Sequence, residues 1–253
     1  MNNVEYSFLI TLLAGLSTIV GSFLIFLKFK DISKVICCSL AFAAGVMITI
    51  SMTDLIPSAI NGILQKYYLV PGILITLIFI IIGIVISNLI NKYIPDVNVD
   101  KIGDSGLYKV GLISMIAIIL HNVPEGIATF MTSTKNLELG LSLALAITLH
   151  NIPEGISISV PIYYSTKSKF KALVYTFISG ISESFGAVIA YLFLAPFMSD
   201  LIMSFLLAII AGIMISISTN ELIPASLKYN HKKKSIVFYL IGSIFMIMCH
   251  LCL

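Results

Sequence analysis

The chain has 253 residues, of which 58% are hydrophobic and 11% charged, with a mean hydropathy of +1.06. Soluble domains carry roughly 25% charge, so a water-facing shell of about 63 charged side chains would be needed where only 27 exist. That excludes soluble enzymes, disordered chains and secreted disulfide scaffolds. The net charge of +3 does not point to nucleic acid, because the lysines fall in short clusters between apolar runs. Cys37, Cys38, Cys249 and Cys252 form two local pairs in or beside such runs and do not read as a disulfide framework.

A membrane helix needs about 20 mostly apolar residues. Eight stretches qualify, near 6–27, 35–57, 70–91, 110–132, 139–164, 172–195, 200–226 and 235–253, and they predict an all-α integral membrane protein with one transmembrane domain over 1–253. Run length and the lack of ten-residue alternation argue against a barrel. The first run has Glu5 in place of a basic leader and no small-residue cleavage site, so it reads as a retained span. The longest polar connection, 92–109, contains Pro95, Asp96, Asp100, Gly103 and Asp104 and reads as a solvated cytoplasmic loop. Alternate connections hold thirteen of the fifteen lysines, and only Lys66 and Lys135 lie on the other side. Basic residues resist translocation, so both termini are expected outside a plasma membrane of bacterial type. The terminal Cys249, His250 and Cys252 read as packing.

Two internal repeats follow. Gly45, Met47, Asp54, Leu55, Ile56 and Pro57 in the second run recur as Gly212, Met214, Glu221, Leu222, Ile223 and Pro224 in the seventh, all at an offset of 167. HNVPEG at 121–126 recurs as HNIPEG at 150–155, in the fourth and fifth runs. Each pair sits on helices that cross in opposite directions, which predicts a 3+2+3 inverted-repeat arrangement. Inverted repeats with polar, interrupted helices are a feature of secondary transporters, whose substrates bind near mid-membrane.

The second repeat carries the chemistry. His121 and Glu125, like His150 and Glu154, are four residues apart and share one helix face. Pro124 and Pro153 free a backbone carbonyl four residues back, and Asn122 and Asn151 lie one step around each helix as candidate oxygen ligands. Glu183 lies mid-span in the sixth run. Three isolated, ionised acids at the bilayer centre would cost roughly 8–10 kcal/mol. No lysine or arginine lies mid-span to offset them, so protons or a cation from solution must do so, and two histidines in the same cluster favour a divalent metal such as Zn²⁺, Fe²⁺ or Mn²⁺. Asp54 and Glu221 read as pathway acids near the outer and inner faces, with Asn220 beside Glu221. An intramembrane metalloenzyme would need HExxH or the di-iron Glu-x-x-His spacing, and neither occurs.

At these motifs the sequence resembles the ZIP family of divalent metal transporters, particularly its bacterial zinc-uptake branch, and the resemblance spans all eight runs. It implies a binuclear centre with His121, Glu125, His150 and Glu154 as principal ligands, completed by Asn122, Asn151 and Glu183. It also implies uptake of Zn²⁺ and of ions such as Cd²⁺, Fe²⁺ and Mn²⁺ as substrates rather than cofactors, a homodimer in the lipid bilayer, and sliding of one helix group against another. Two features depart from the family pattern: Ser184 stands where many relatives carry proline after the sixth-helix acid, and 92–109 has no histidine.

Overall fold

The computed structural model describes residues 3–93, 105–194, 199–229 and 231–252, and every regular element among them is a helix. Helix α1, Asn3–Ser22, ends in a 3-10 turn at Phe23–Phe26. Helix α2 runs over Ile32–Ile50, widens into a π-turn at Ser51–Leu55 and resumes over Ile56–Leu64. Then come α3 at Leu69–Tyr93, α4 at Ser105–Lys135, α5 at Leu137–Thr166 and α6 at Lys169–Ile189, which closes in a π-turn at Ala190–Leu194. Helix α7 is built like α2: Asp200–Ile217, a π-turn at Ser218–Leu222, then Ile223–Leu227. Helix α8 covers Lys232–Cys252.

Seven of these helices, α1 to α7, are long and apolar enough to cross a membrane, and α8 follows behind a leading run of lysines. The eight expected runs therefore all appear as helices. Their ends are less well foreseen: α2 continues to Leu64, past the expected end at 57, and α4 begins at Ser105, inside the expected loop. The acids and proline of that loop lie at 94–104, outside the described residues, as do the side chains of His250 and Cys252. Cys249 is buried, and Cys37, Cys38 and Cys249 are unbridged.

The two π-turns fall on the first repeat and stand 167 residues apart, like the residues they contain. Pro57 and Pro224 explain them. Each proline withholds the N–H that would pair with the carbonyl four residues back, that of Thr53 or Asn220, and the turn widens to relieve the clash. Helices α4 and α5 instead run on through Pro124 and Pro153.

The helices sort into two groups by what they pack on. Helices α1, α4, α5 and α6 pack on one another; α2 packs on α8 and α7, and α3 packs on α7. Between the groups the main contacts are α2 on α5 and α4 on α7. Among the described residues, the glycines at which an added side-chain carbon would strike a neighbouring helix's backbone do so inside a group: Gly15 against Gly180, Gly21 and Gly155 between α1 and α5, Gly126 and Gly186 between α4 and α6. In the second group the same device appears as Gly45 with Gly242 and Gly83 with Gly212. Within a bilayer helices associate through close packing and polar contacts, because lipid tails are as apolar as leucine. Glycine seams therefore make each group tight. One hydrophobic cluster holds Leu40, Met47 and Ile50 of α2 together with Ile158 and Ile162 of α5, and so draws branched and long side chains from both groups.

Helix α1 shows how the first group stays polar inside. Ser7, Thr11, Thr18 and Ser22 are buried, and each hydroxyl donates to a carbonyl of its own helix, as Thr11 Oγ1 does to Ser7 at 2.8 Å. A hydroxyl satisfied in this way can face a neighbour without a cost in stranded polar groups.

Candidate metal centre

The site lies inside the first group. His121 and Glu125 descend from α4, His150 and Glu154 from α5, and Glu183 from α6, and all five are at most 7% exposed. The i, i+4 spacing puts each histidine one turn from its own acid, and α4 packs on α5 so that the two pairs interlock. His150 Nε2 lies 3.1 Å from Glu125 Oε1 in a hydrogen bond across the two helices. His121 Nε2 stands 3.2 Å from the same oxygen and 3.5 Å from Glu154 Oε1, neither aligned as a hydrogen bond. His121, His150 and Glu154 each offer one ligand atom within 4.8 Å of the others. Two imidazoles and a carboxylate, with Glu125 beside them, are a donor set that suits zinc and its neighbours.

Glycine brings Glu183 to this level. A side-chain carbon at Gly126 would collide with the Glu183 backbone carbonyl, and one at Gly186 with that of Val123, so α4 and α6 touch here only because both positions are bare. Asn151 Nδ2 donates to Glu183 Oε2 at 2.9 Å and to the Ala14 carbonyl at 3.0 Å. Asn122 Nδ2 donates to the Ser179 carbonyl at 3.0 Å. Both amide nitrogens are thus committed, and the amide oxygens of Asn122 and Asn151 are left without partners. Helix α6 keeps regular α-geometry through Ser184, whose hydroxyl is buried and unpaired.

The charge balance is unusual. The charged groups acting on Glu183 are Glu125, Glu154 and His150, and those on Glu154 are His121, His150 and Glu125. Among the described residues no lysine takes part. Unpartnered buried atoms include Nδ1 of both histidines, both Glu154 oxygens, Glu125 Oε2 and Glu183 Oε1. Natural proteins leave few buried polar atoms unpaired, and such a concentration calls for a ligand or ion.

The other candidates stand apart from this cluster. Asp54 lies in the π-turn of α2 and accepts from Ser58 Oγ at 3.3 Å. Glu221 lies in the matching turn of α7, half-buried, accepting from Asn91 Nδ2 of α3 under the Coulombic influence of Lys109 and Lys228. Asn220 is exposed and donates to Ser216 Oγ at 3.2 Å. Sequence reasoning missed Asn91, and also the Ala14 and Ser179 carbonyls that hold the two asparagines. Asn91 was a visible signal, a polar amide at the end of a long apolar run; backbone carbonyls carry none.

Fold and site together define a multi-pass membrane protein with a cluster of histidine and glutamate side chains, of the kind that could hold a metal ion, buried between its helices. Residues 98–250 match the sequence profile of the ZIP zinc transporter family. The chain is 40% identical to the zinc transporter ZupT of Clostridium perfringens, an alignment covering 97% of this chain and 95% of that protein. It is 41% identical to the ZupT proteins of Oceanobacillus iheyensis, covering 93% of each chain, and of Campylobacter jejuni, covering 92% of this chain and 91% of that one. The chain belongs to the ZIP zinc transporter family.

Proposed function

We propose that this protein carries Zn²⁺, and with it other divalent ions such as Cd²⁺, Fe²⁺ and Mn²⁺, into the cytoplasm. The observation that carries the reading is the buried pairing of His121 and Glu125 with His150 and Glu154, three of whose ligand atoms gather within 4.8 Å and which no lysine neutralises. An ion entering past Asp54 loses its water to this cluster. His121, Glu125, His150 and Glu154 are its principal ligands. Asn122, Asn151 and Glu183 complete a second metal position, for which the unpaired amide oxygens and Glu183 Oε1 are the free donors. Exit leads past Asn220 and Glu221.

The whole chain acts as one transporter domain, arranged as a 3+2+3 inverted repeat, and works as a homodimer in the bacterial inner membrane with both termini outside. The matching π-turns of α2 and α7 support the repeat, and the thirteen lysines on alternate connections support the orientation. Transport proceeds by movement of α1, α4, α5 and α6, which carry the ligands, against α2, α3, α7 and α8. Among the described residues, glycine seams lie inside each group and not between them, which favours two bodies that move as units.

The test is zinc-65 uptake into sealed proteoliposomes. Wild-type protein accumulates zinc beyond its own molar amount; Glu125→Ala and Glu154→Ala, reconstituted at equal density, give none above empty vesicles. Undiminished accumulation by either variant would refute the site. Uptake that stops at once at stoichiometric binding would refute transport.

A further inference from the structure

Away from the metal cluster, a groove of about 440 Å³ lies where α1, α2, α5 and α8 meet. Its walls are apolar, with Phe29, Val35, Phe42, Ile156, Phe238 and Ile241 among them. Lys34 stands at its edge. The Lys234 side chain is close enough to Lys34 for the two ammonium groups to interact, and this contact holds Lys234 below the ordinary lysine range. Next to the groove lies a polar pocket lined by His231, Lys232, Lys233 and Lys234. Asp31 offsets part of this charge, 3.8 Å from Lys34 Nζ and 3.8 Å from His231 Nε2. The Lys34 backbone N–H keeps Asp31 ionised, holding its carboxyl below the usual range.

We propose that this groove binds an anionic phospholipid, with an acyl chain along the aromatic and branched walls and the phosphodiester between Lys34 and Lys234. Like charges held together at the mouth of an apolar slot between membrane helices match a molecule that is anionic at one end and hydrocarbon at the other, and basic pockets between helices are a known mode of lipid headgroup binding. A soluble anion would satisfy the lysines and leave the slot unfilled; a neutral lipid would fill the slot and leave the lysines facing each other. The groove also crosses the boundary between the two helix groups. Ile156 belongs to α5, two residues beyond Glu154, whereas Val35, Phe42, Phe238 and Ile241 belong to α2 and α8. A lipid seated there touches both bodies and stabilises the arrangement that forms the slot.

The test uses the full chain in a neutral detergent without added zinc, so its outcome is independent of the transport reading. Thermal unfolding is followed with phosphatidylglycerol, phosphatidylcholine or inorganic phosphate added. Binding to the folded state at about 100 times Kd should raise the midpoint by roughly 5 °C. Phosphatidylglycerol gives this rise, and phosphatidylcholine and phosphate do not. The double variant Lys34→Gln, Lys234→Gln loses the rise, whereas Lys232→Gln, Lys233→Gln, with the same change of charge, keeps it. An equal rise with phosphate, an equal rise with phosphatidylcholine, or a rise preserved in the Lys34/Lys234 variant overturns the proposal. Should that variant fail to fold, photoactivatable phosphatidylglycerol on wild-type protein decides: labelling of 29–42 and 238–241 supports the site, and labelling confined to other segments overturns it.

Discussion

At the scale of single residues, the site is organised by what each polar atom is already doing. Asn151 spends its amide hydrogens on Glu183 and on the Ala14 carbonyl; Asn151→Ala strands the acid in a dry place at a cost of about 1–3 kcal/mol, whereas the Ala14 carbonyl keeps the Ser17 hydroxyl. Its expected outcome is a lower melting temperature together with weaker zinc binding, and Asn151→Asp, which keeps an oxygen but loses the donor, should restore neither fully; calorimetry on purified protein measures both. The His150–Glu125 contact leads to a second expectation. A hydrogen bond between imidazole Nε2 and a carboxylate needs a proton between them, and a metal bound at Nε2 must take that proton's place. With the His150 imidazole doubly protonated against the Glu125 carboxylate, zinc binding releases about one proton or more per metal, seen as a binding enthalpy that varies with the ionisation heat of the buffer. A buffer-independent enthalpy would mean that the imidazole is neutral and merely changes tautomer.

At the scale of elements, the decisive contacts are glycine seams. Gly126 faces the Glu183 carbonyl so closely that any side chain must push α6 away from α4. Gly126→Leu should lower stability by about 1–3 kcal/mol, as overpacking does, and should abolish zinc uptake by withdrawing Glu183 from the centre. Gly72→Ala makes a useful contrast, because the atom it meets is the flexible end of Leu64, and uptake there should stay near wild type. The π-turns make the same point for the first repeat. Asp54 and Glu221 sit in widened turns because Pro57 and Pro224 follow them, and a proline after an acid in two related runs was the readable cause. The consequence, a turn of π geometry carrying each acid, needed backbone coordinates.

At the scale of the whole molecule, the two helix groups meet along a surface without glycine seams among the described residues. If transport needs them to shift, joining them should stop it. A variant with its native cysteines replaced, carrying Phe42→Cys on α2 and Ile156→Cys on α5, can be bridged across the groove by a bifunctional methanethiosulfonate, which joins the two thiols through reducible disulfides. Bridged protein should retain zinc binding and lose most of its uptake, keeping on the order of one turnover in ten, with recovery on reduction; this follows if the bound ion is released only after a rearrangement slower than binding. Unimpaired uptake by the bridged form would place the motion elsewhere.

The eight runs, the inward-facing acids and the pairing of histidine with glutamate were legible in the residues because hydropathy and helical spacing are local properties that lipid enforces strictly: a backbone without water must be helical, and residues four apart must share a face. The same locality explains the errors at the ends, since where α2 stops or α4 starts depends on neighbours. Which helices pair, and hence that α1 lends a carbonyl to Asn151, that α6 reaches the centre through Gly126, and that Asn91 of α3 holds Glu221, was decided only by tertiary packing. Apolar helices in lipid have no preferred partner by hydrophobicity alone, and the choice falls to shape and to hydrogen bonds between residues distant in sequence.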